Sequence, residues 1–165
     1  MAGRGFEERQ ELTLAEAARS LLDECRMILP GIQALFGFQL IAVFSSRFAE
    51  DLSGSQQALH LLAIALVVVA TALIMTPAAY HRAAGVREVT SRFLEVSAFL
   101  LLASMAPLAA ALTIDFYLIA SLTLGDASRA GVLAALLAAL IIFLWAIFPH
   151  LRNMQRTFRR PDPSM

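Results

Sequence analysis

Five polar residues lie inside stretches otherwise apolar enough to enter a bilayer: Gln33, Gln39, Ser97, Ser104 and Asp115. Polar groups at such depth are costly, and where they occur they are paired or functional. Gln33 shares a helical face with Gly37, Ile41 and Phe44, whereas Gln39 points about 120° away. One glutamine is therefore expected to hydrogen-bond inside a helical bundle and the other across a subunit interface, each bond contributing about 0.6–2 kcal/mol. The plain role for both is packing; the chemical role is lining a pore or binding a substrate. Ser97, Ser104, Ala111 and Asp115 fall within about 40° of one line on an ideal helix, although Pro107 would distort it. A polar stripe ending in a carboxylate suits a permeation path or a proton site. Alternatively, Asp115 sits at the outer surface of the membrane, solvated or paired with Arg47 or Arg129, and the serines bond back to their own helix.

Other residues offer less. Asp23, Glu24, Arg26, His81, Arg82, Arg92 and Glu95 should gather near one membrane face, where Glu24, Arg26, His81, Arg82 and Glu95 are expected to form structural ion pairs that fix how the helix ends meet. His60 and His150 fall on opposite sides and cannot share a metal. The single cysteine, Cys25, has no partner in the chain for a disulfide. There is no HExxH, CxxC, Walker loop, GxGxxG or nucleophile elbow, so no catalytic, cofactor-binding or metal-binding residue is assigned. Gly131, Ala135 and Ala139 recur every four residues, with Ala134 and Ala138 beside them. Together with Gly37 they are candidates for close helix packing, against the bundle or against a second subunit.

The elements that must position these residues follow from hydropathy. The chain has 165 residues, 59% of them hydrophobic and only 16% charged. Its mean hydropathy is +0.70. A soluble domain usually sits near 45–50% apolar, and here the excess is concentrated in four blocks. The predicted spans are 27–44, 59–75, 96–118 and 130–148. The first is uncharged over 18 positions, about 27 Å of helix against a hydrocarbon core of roughly 30 Å. Residues 1–12 read as disordered. Thr13 to Glu16 forms a capping box that opens an amphipathic helix over 13–28. This helix carries Glu16, Asp23 and Glu24, so it is expected to pack on the bundle rather than on anionic lipid. Pro30 and Gly31 are expected to end it or to kink it into the first span. Residues 45–58 read as a polar connection with a turn at 53–55. Thr76 to Arg82 reads as the close of the second span, and Gly125 to Ser128 as a tight turn. Trp145 is an interfacial anchor, Pro149 a stop, and 149–165 a basic tail. The fold class is thus all-α: a four-helix transmembrane bundle preceded by an amphipathic cytoplasmic helix.

Net charge is zero and all thirteen basic residues are arginine. With both termini on one side, that side holds eleven of them, and the other holds Arg47 and Arg129. By the positive-inside rule both termini are cytoplasmic. The first 26 residues are polar, so the first span is expected to insert as an uncleaved anchor. Aromatic and basic interleaving for nucleic acid is absent.

Asp23-Glu24-Cys25-Arg26 with Pro30 to Leu40, and Thr76 to Arg82, resemble a family of small bacterial four-span membrane proteins known only as a domain of unknown function. The resemblance covers roughly 22–148. It implies the inner membrane of a bacterium and brings no activity, cofactor or site residue. The leading expectation is a non-enzymatic protein without cofactor, embedded in the lipid bilayer and acting by self-association or as a subunit of a membrane complex. A small oligomeric channel or transporter using Gln33, Gln39, Ser104 and Asp115 is the alternative. A membrane-embedded enzyme is the weaker third.

Overall fold

Local signals account for where the helices begin and end. The computed structural model describes residues 13–83 and 90–148. It contains α1 (Leu14–Val43), a short α2 (Arg47–Asp51), α3 (Gly54–Ala83), α4 (Ser91–Leu124) and α5 (Ala127–Ile142), the last running into a π-helical turn at Phe143–Ile147. Thr13 and Glu16 form the capping box: the Thr13 amide donates to Glu16 Oε2 (2.9 Å) and the Glu16 amide to Thr13 Oγ1 (3.3 Å). The bond from the Thr13 amide, and then the one from its hydroxyl, hold the exposed Glu16 carboxyl below its ordinary range. A second box opens α3, where the Ser53 amide donates to Gln56 Oε1 (2.9 Å) and the Gln56 amide to Ser53 Oγ (3.4 Å). Residues 53–55, expected as a turn, are therefore the cap and first turn of a helix. Gly125 closes α4 in the left-handed region (φ 62°), and Asp126 caps α5 by accepting from the amides of Ser128 and Arg129.

Three prolines lie inside helices rather than at their ends: Pro30 in α1, Pro77 in α3 and Pro107 in α4. The amphipathic segment at 13–28 and the first span are one continuous helix of 30 residues. Thr76 to Arg82 likewise belongs to α3, which runs on to Ala83. A membrane helix tolerates proline because neighbouring groups relieve the freed carbonyl. Beside Pro77, the Thr76 hydroxyl donates to the Ala72 carbonyl at 2.8 Å. Pro77 itself is fully buried and fills the interface between helices. The expected disordered N-terminus, residues 85–89 of the basic loop, and the tail with His150 lie outside the described residues.

Four helices are long and apolar enough to cross a membrane: Glu16–Val43, Gly54–Arg82, Ser91–Leu124 and Ala127–Ile147. They form a helical bundle without strands among the described residues. The packing follows a seven-residue period. Ala18, Cys25, Ile32 and Gln39 are the buried positions of α1, each seven apart. His60, Val67 and Ile74 form one such row on α3, and Ala63, Ala70 and Pro77 the other. On α4 the row is Ser97, Ser104, Ala111 and Leu118. This spacing keeps one seam of each helix against its neighbours, as in coiled coils. The most extensive interface is α3 with α4; α5 packs on α4, and α1 packs mainly on α3 and less on α4. Ala63, Val67, Ala70 and Ala111 have no exposed surface, so the α3–α4 seam is close-packed at mid-bundle. Outward-facing Phe38, Phe44, Leu61, Phe99 and Ile119 are more than 60% exposed, an apolar exterior suited to lipid rather than water.

Candidate functional site

Gln39, His60 and Asp115 meet at one end of the bundle. Gln39 and His60 lie on buried seams, Asp115 lies partly buried beside that of α4, and all three are near the same membrane side. Gln39 is about 6 Å from the C-terminal end of α1, His60 about 9 Å from the start of α3, and Asp115 about 14 Å from the end of α4 at 1.5 Å per residue. Gln39 Nε2 donates to Asp115 Oδ2 at 2.7 Å, the length of a charge-assisted bond. His60 Nε2 lies 3.0 Å from the backbone oxygen of Gln39. His60 Nδ1 lies 3.5 Å from Asp115 Oδ1. Phe48, from α2, packs on the His60 ring with centroids 5.3 Å apart. Gln39 is 3% exposed and His60 7%.

This geometry constrains the protons. A carbonyl oxygen only accepts, so His60 Nε2 carries a hydrogen. In a neutral ring Nδ1 is then a lone pair, facing an oxygen of Asp115. Two acceptors in contact repel, so a proton placed on either one would turn this facing into a hydrogen bond. The pair is then neutral overall, which suits its depth. As placed, Asp115 Oδ1 and Gln39 Oε1 are both buried without a hydrogen-bond partner. Both residues line a cleft of about 230 Å³ between α1 and α4, walled by apolar groups that include Leu35, Phe38, Phe48, Leu118 and Leu122.

The remaining candidates separate. Gln33 is exposed on the outside of α1. Ser97 and Ser104 are buried on the same seam as Ala111, and the Ser104 hydroxyl bonds back to the Leu101 carbonyl at 2.6 Å. Between Ser97 and Asp115 the close-packed alanines and Val67 interrupt the stripe. Asp115 does not pair with Arg47 or Arg129: those arginines contact Asp51 (3.8 Å) and Asp126 (3.1 Å). At the opposite rim Arg26 pairs with Asp23 of its own helix at 3.4 Å, and Tyr80 and His81 lie against Phe93. Glu24, Arg82 and Glu95 are exposed there. On α5 the buried small residues are Ala130 and Ala134, whereas Ala135 and Ala139 face outward. A Cβ added at Gly37 or Gly131 would meet nothing within 4 Å, so neither marks a close approach within the chain.

Sequence reasoning treated His60 as a lone histidine and missed its partner. It also missed the bond from Gln56 Nε2 to Ser121 Oγ (3.2 Å), which ties α3 to α4 at the same end. The seven-residue rows carry the signal for the former. Gln39 continues the row of Ala18, Cys25 and Ile32, and His60 that of Val67 and Ile74. Asp115 lies seven residues after Leu108, a neighbour of the core cluster.

Four apolar helices bundled around buried seams make this chain a multi-pass integral membrane protein by architecture. It belongs to the family of unknown function DUF6328, which matches residues 7–149. No significant match was found among curated proteins or among solved structures.

Proposed function

We propose that this is a non-enzymatic membrane protein that binds and releases a proton at the Gln39–His60–Asp115 cluster, acting as a carrier rather than an open pore. The observation behind this is the facing of His60 Nδ1 and Asp115 Oδ1 at 3.5 Å while Nε2 is committed to the Gln39 carbonyl. The closed alanine seam below the cluster supports a site reached from one side at a time. With the arginine-rich segments in the cytoplasm of a bacterium, that side is the outer half of the inner membrane. The test is ¹⁵N-histidine NMR of the full chain in nanodiscs across pH. We expect Nε2 of His60 to stay protonated throughout, and the Nδ1 signal to differ between wild type and Asp115→Asn. An unchanged Nδ1 signal would remove Asp115 from the site. Discrete conductance steps in planar bilayers would replace the carrier with a pore.

Self-association is a second reading, favoured by the outward placement of Ala135 and Ala139 on α5. Small residues on a lipid-facing helix allow a second copy to approach closely. Ala135→Leu with Ala139→Leu should then lower the oligomer size measured by native mass spectrometry. An unchanged size would count against an interface on this face.

A further inference from the structure

We propose that a cavity between α3 and α4, at the end of the bundle opposite the cluster, binds the phosphate group of an anionic phospholipid. Its volume is about 150 Å³, and its wall changes character with depth. Tyr80, Thr90 and Arg92 line the outer part, with Tyr80 about 4.5 Å from the end of α3 and the other two at the start of α4. Pro77, Val96 and Leu100 line the deeper part, about 8–14 Å inside the helix ends at 1.5 Å per residue. A cation and two hydroxyls near the membrane surface, above an apolar floor, match a phospholipid, which carries its charge at the surface and its chains below.

The outer groups are exposed and free to bind. Arg92 is exposed and forms no ion pair among the described residues; the pair at this rim is Arg26 with Asp23. Glu95, the acid nearest along α4, is exposed and forms no ion pair either. Tyr80 stacks on Phe93 with ring centroids 5.7 Å apart and planes 16° from parallel, which holds the ring at the wall while 59% of the residue stays exposed. The Thr90 hydroxyl accepts from the Phe93 amide at 3.3 Å, so its own hydrogen is left to donate. The recognition thus falls to side chains rather than to the helix end, whose Phe93 amide is already capped.

Charge and size select the ligand. Phosphate oxygens only accept, and Arg92, Tyr80 and Thr90 all donate. A guanidinium can hold two phosphate oxygens with parallel N–H bonds. Basic pockets between membrane helices near the surface suit anionic headgroups. The cavity is smaller than a drug-sized site of roughly 300–1,000 Å³, so it holds the phosphate and the carbons beside it while the rest of the lipid stays in the bilayer. Val96, on its wall, is 51% exposed on the outside of the bundle, so the cavity opens to lipid. A free phosphate would make no use of Pro77, Val96 and Leu100, which favours the lipid.

The test titrates the full chain in a neutral detergent with dioleoylphosphatidylglycerol and reads bound lipid by native mass spectrometry. Dioleoylphosphatidylcholine, with the same chains and no net charge, is the comparison. We expect one phosphatidylglycerol bound in preference to phosphatidylcholine. Arg92→Gln should weaken it about fivefold or more, the scale of one arginine at an anionic surface. Tyr80→Phe, which removes only the hydroxyl, should weaken it by a smaller factor. Val96→Trp, which fills the deeper part without changing charge, should weaken it as well. Arg82→Gln is the control: Arg82 is exposed at the same rim and does not line the cavity, so it should have less effect than Arg92→Gln. Melting temperatures report that each variant is folded, and if Val96→Trp is not, Arg92→Gln with Tyr80→Phe carries the test. Equal loss in Arg92→Gln and Arg82→Gln, with wild-type binding in Tyr80→Phe, would reduce the effect to diffuse surface charge and overturn the site. Equal binding of phosphatidylcholine would overturn the selectivity for an anion. Displacement of phosphatidylglycerol by inorganic phosphate at matched ionic strength, where chloride displaces none, would assign the cavity to free phosphate and overturn the lipid.

Discussion

The bond between Gln39 Nε2 and Asp115 Oδ2 can be isolated energetically, because the same chain supplies an internal control six residues away. At 2.7 Å and largely removed from solvent, it is of the charge-assisted kind, typically about 1.5–3 kcal/mol in folded proteins. Hydrogen bonds between membrane helices measure lower, averaging about 0.6 and reaching about 1.7 kcal/mol, because the unfolded chain in lipid also finds partners. A coupling of about 1–2 kcal/mol is expected. Gln39→Leu alone would not reveal it. That change also removes Oε1, a buried acceptor with no donor, and so relieves one cost while creating another. In a double-mutant cycle with Asp115→Leu the Oε1 contribution appears in both backgrounds and cancels, leaving the bond.

The assay is equilibrium unfolding in mixed micelles, read by steric trapping or circular dichroism, on wild type, both single variants and the double variant. Gln33→Leu is the control. Gln33 is exposed, so the same chemical change there should alter stability by no more than about 0.5 kcal/mol. A coupling below about 0.3 kcal/mol would refute the reasoning, since independent sites add to within that margin. A Gln33→Leu effect as large as that of Gln39→Leu would also refute it, by showing that glutamine in this helix matters for reasons other than this bond.

Three further outcomes follow from the fold. Gly125→Ala should lower stability by about 1–2 kcal/mol in the same unfolding assay, because φ is 62° although a Cβ would have room; Gly125→Asn should cost less. Ala70→Leu, at a position with no exposed surface between α3 and its neighbours, should destabilise by about 1–3 kcal/mol through overpacking. Amide hydrogen exchange over the first turn of α1 should quicken as pH falls through the carboxylate range, beyond the intrinsic rate. The Glu16 carboxyl is held low when folded, so its contribution is present above its unfolded value and lost on protonation; Glu16→Gln should abolish that dependence.

Much of the architecture was legible because bilayer thickness acts on sequence directly. Four apolar runs had to be four crossings, and Thr13 with Glu16 announced the start of α1 without any tertiary information. What was misread were interruptions. Pro30, Pro77 and Ser53 carry the local chemistry of breaks and turns, yet two of them sit within continuous helices and the third caps one, because in lipid a helix that stops exposes carbonyls at greater cost than a helix that continues through proline. Gln39 and Asp115 stood out singly, as polar groups in apolar runs. Their meeting with His60 did not, since it depends on which faces of three helices turn together. The seven-residue rows contain that information, but only once burial identifies which of several overlapping rows is the seam.

The placement of the cluster has a mechanical consequence. α1 packs on its neighbours less extensively than α3 packs on α4, and among the described residues two hydrogen bonds tie it to them. Both run through Gln39: its side chain reaches Asp115 on α4, and its carbonyl receives His60 from α3. The groups proposed to hold the proton are thus the same groups that hold the last turn of α1 in place. The α3–α4 seam, packed through alanines without exposed surface, offers no comparable freedom. A change at these bonds therefore bears first on the gap between α1 and α4.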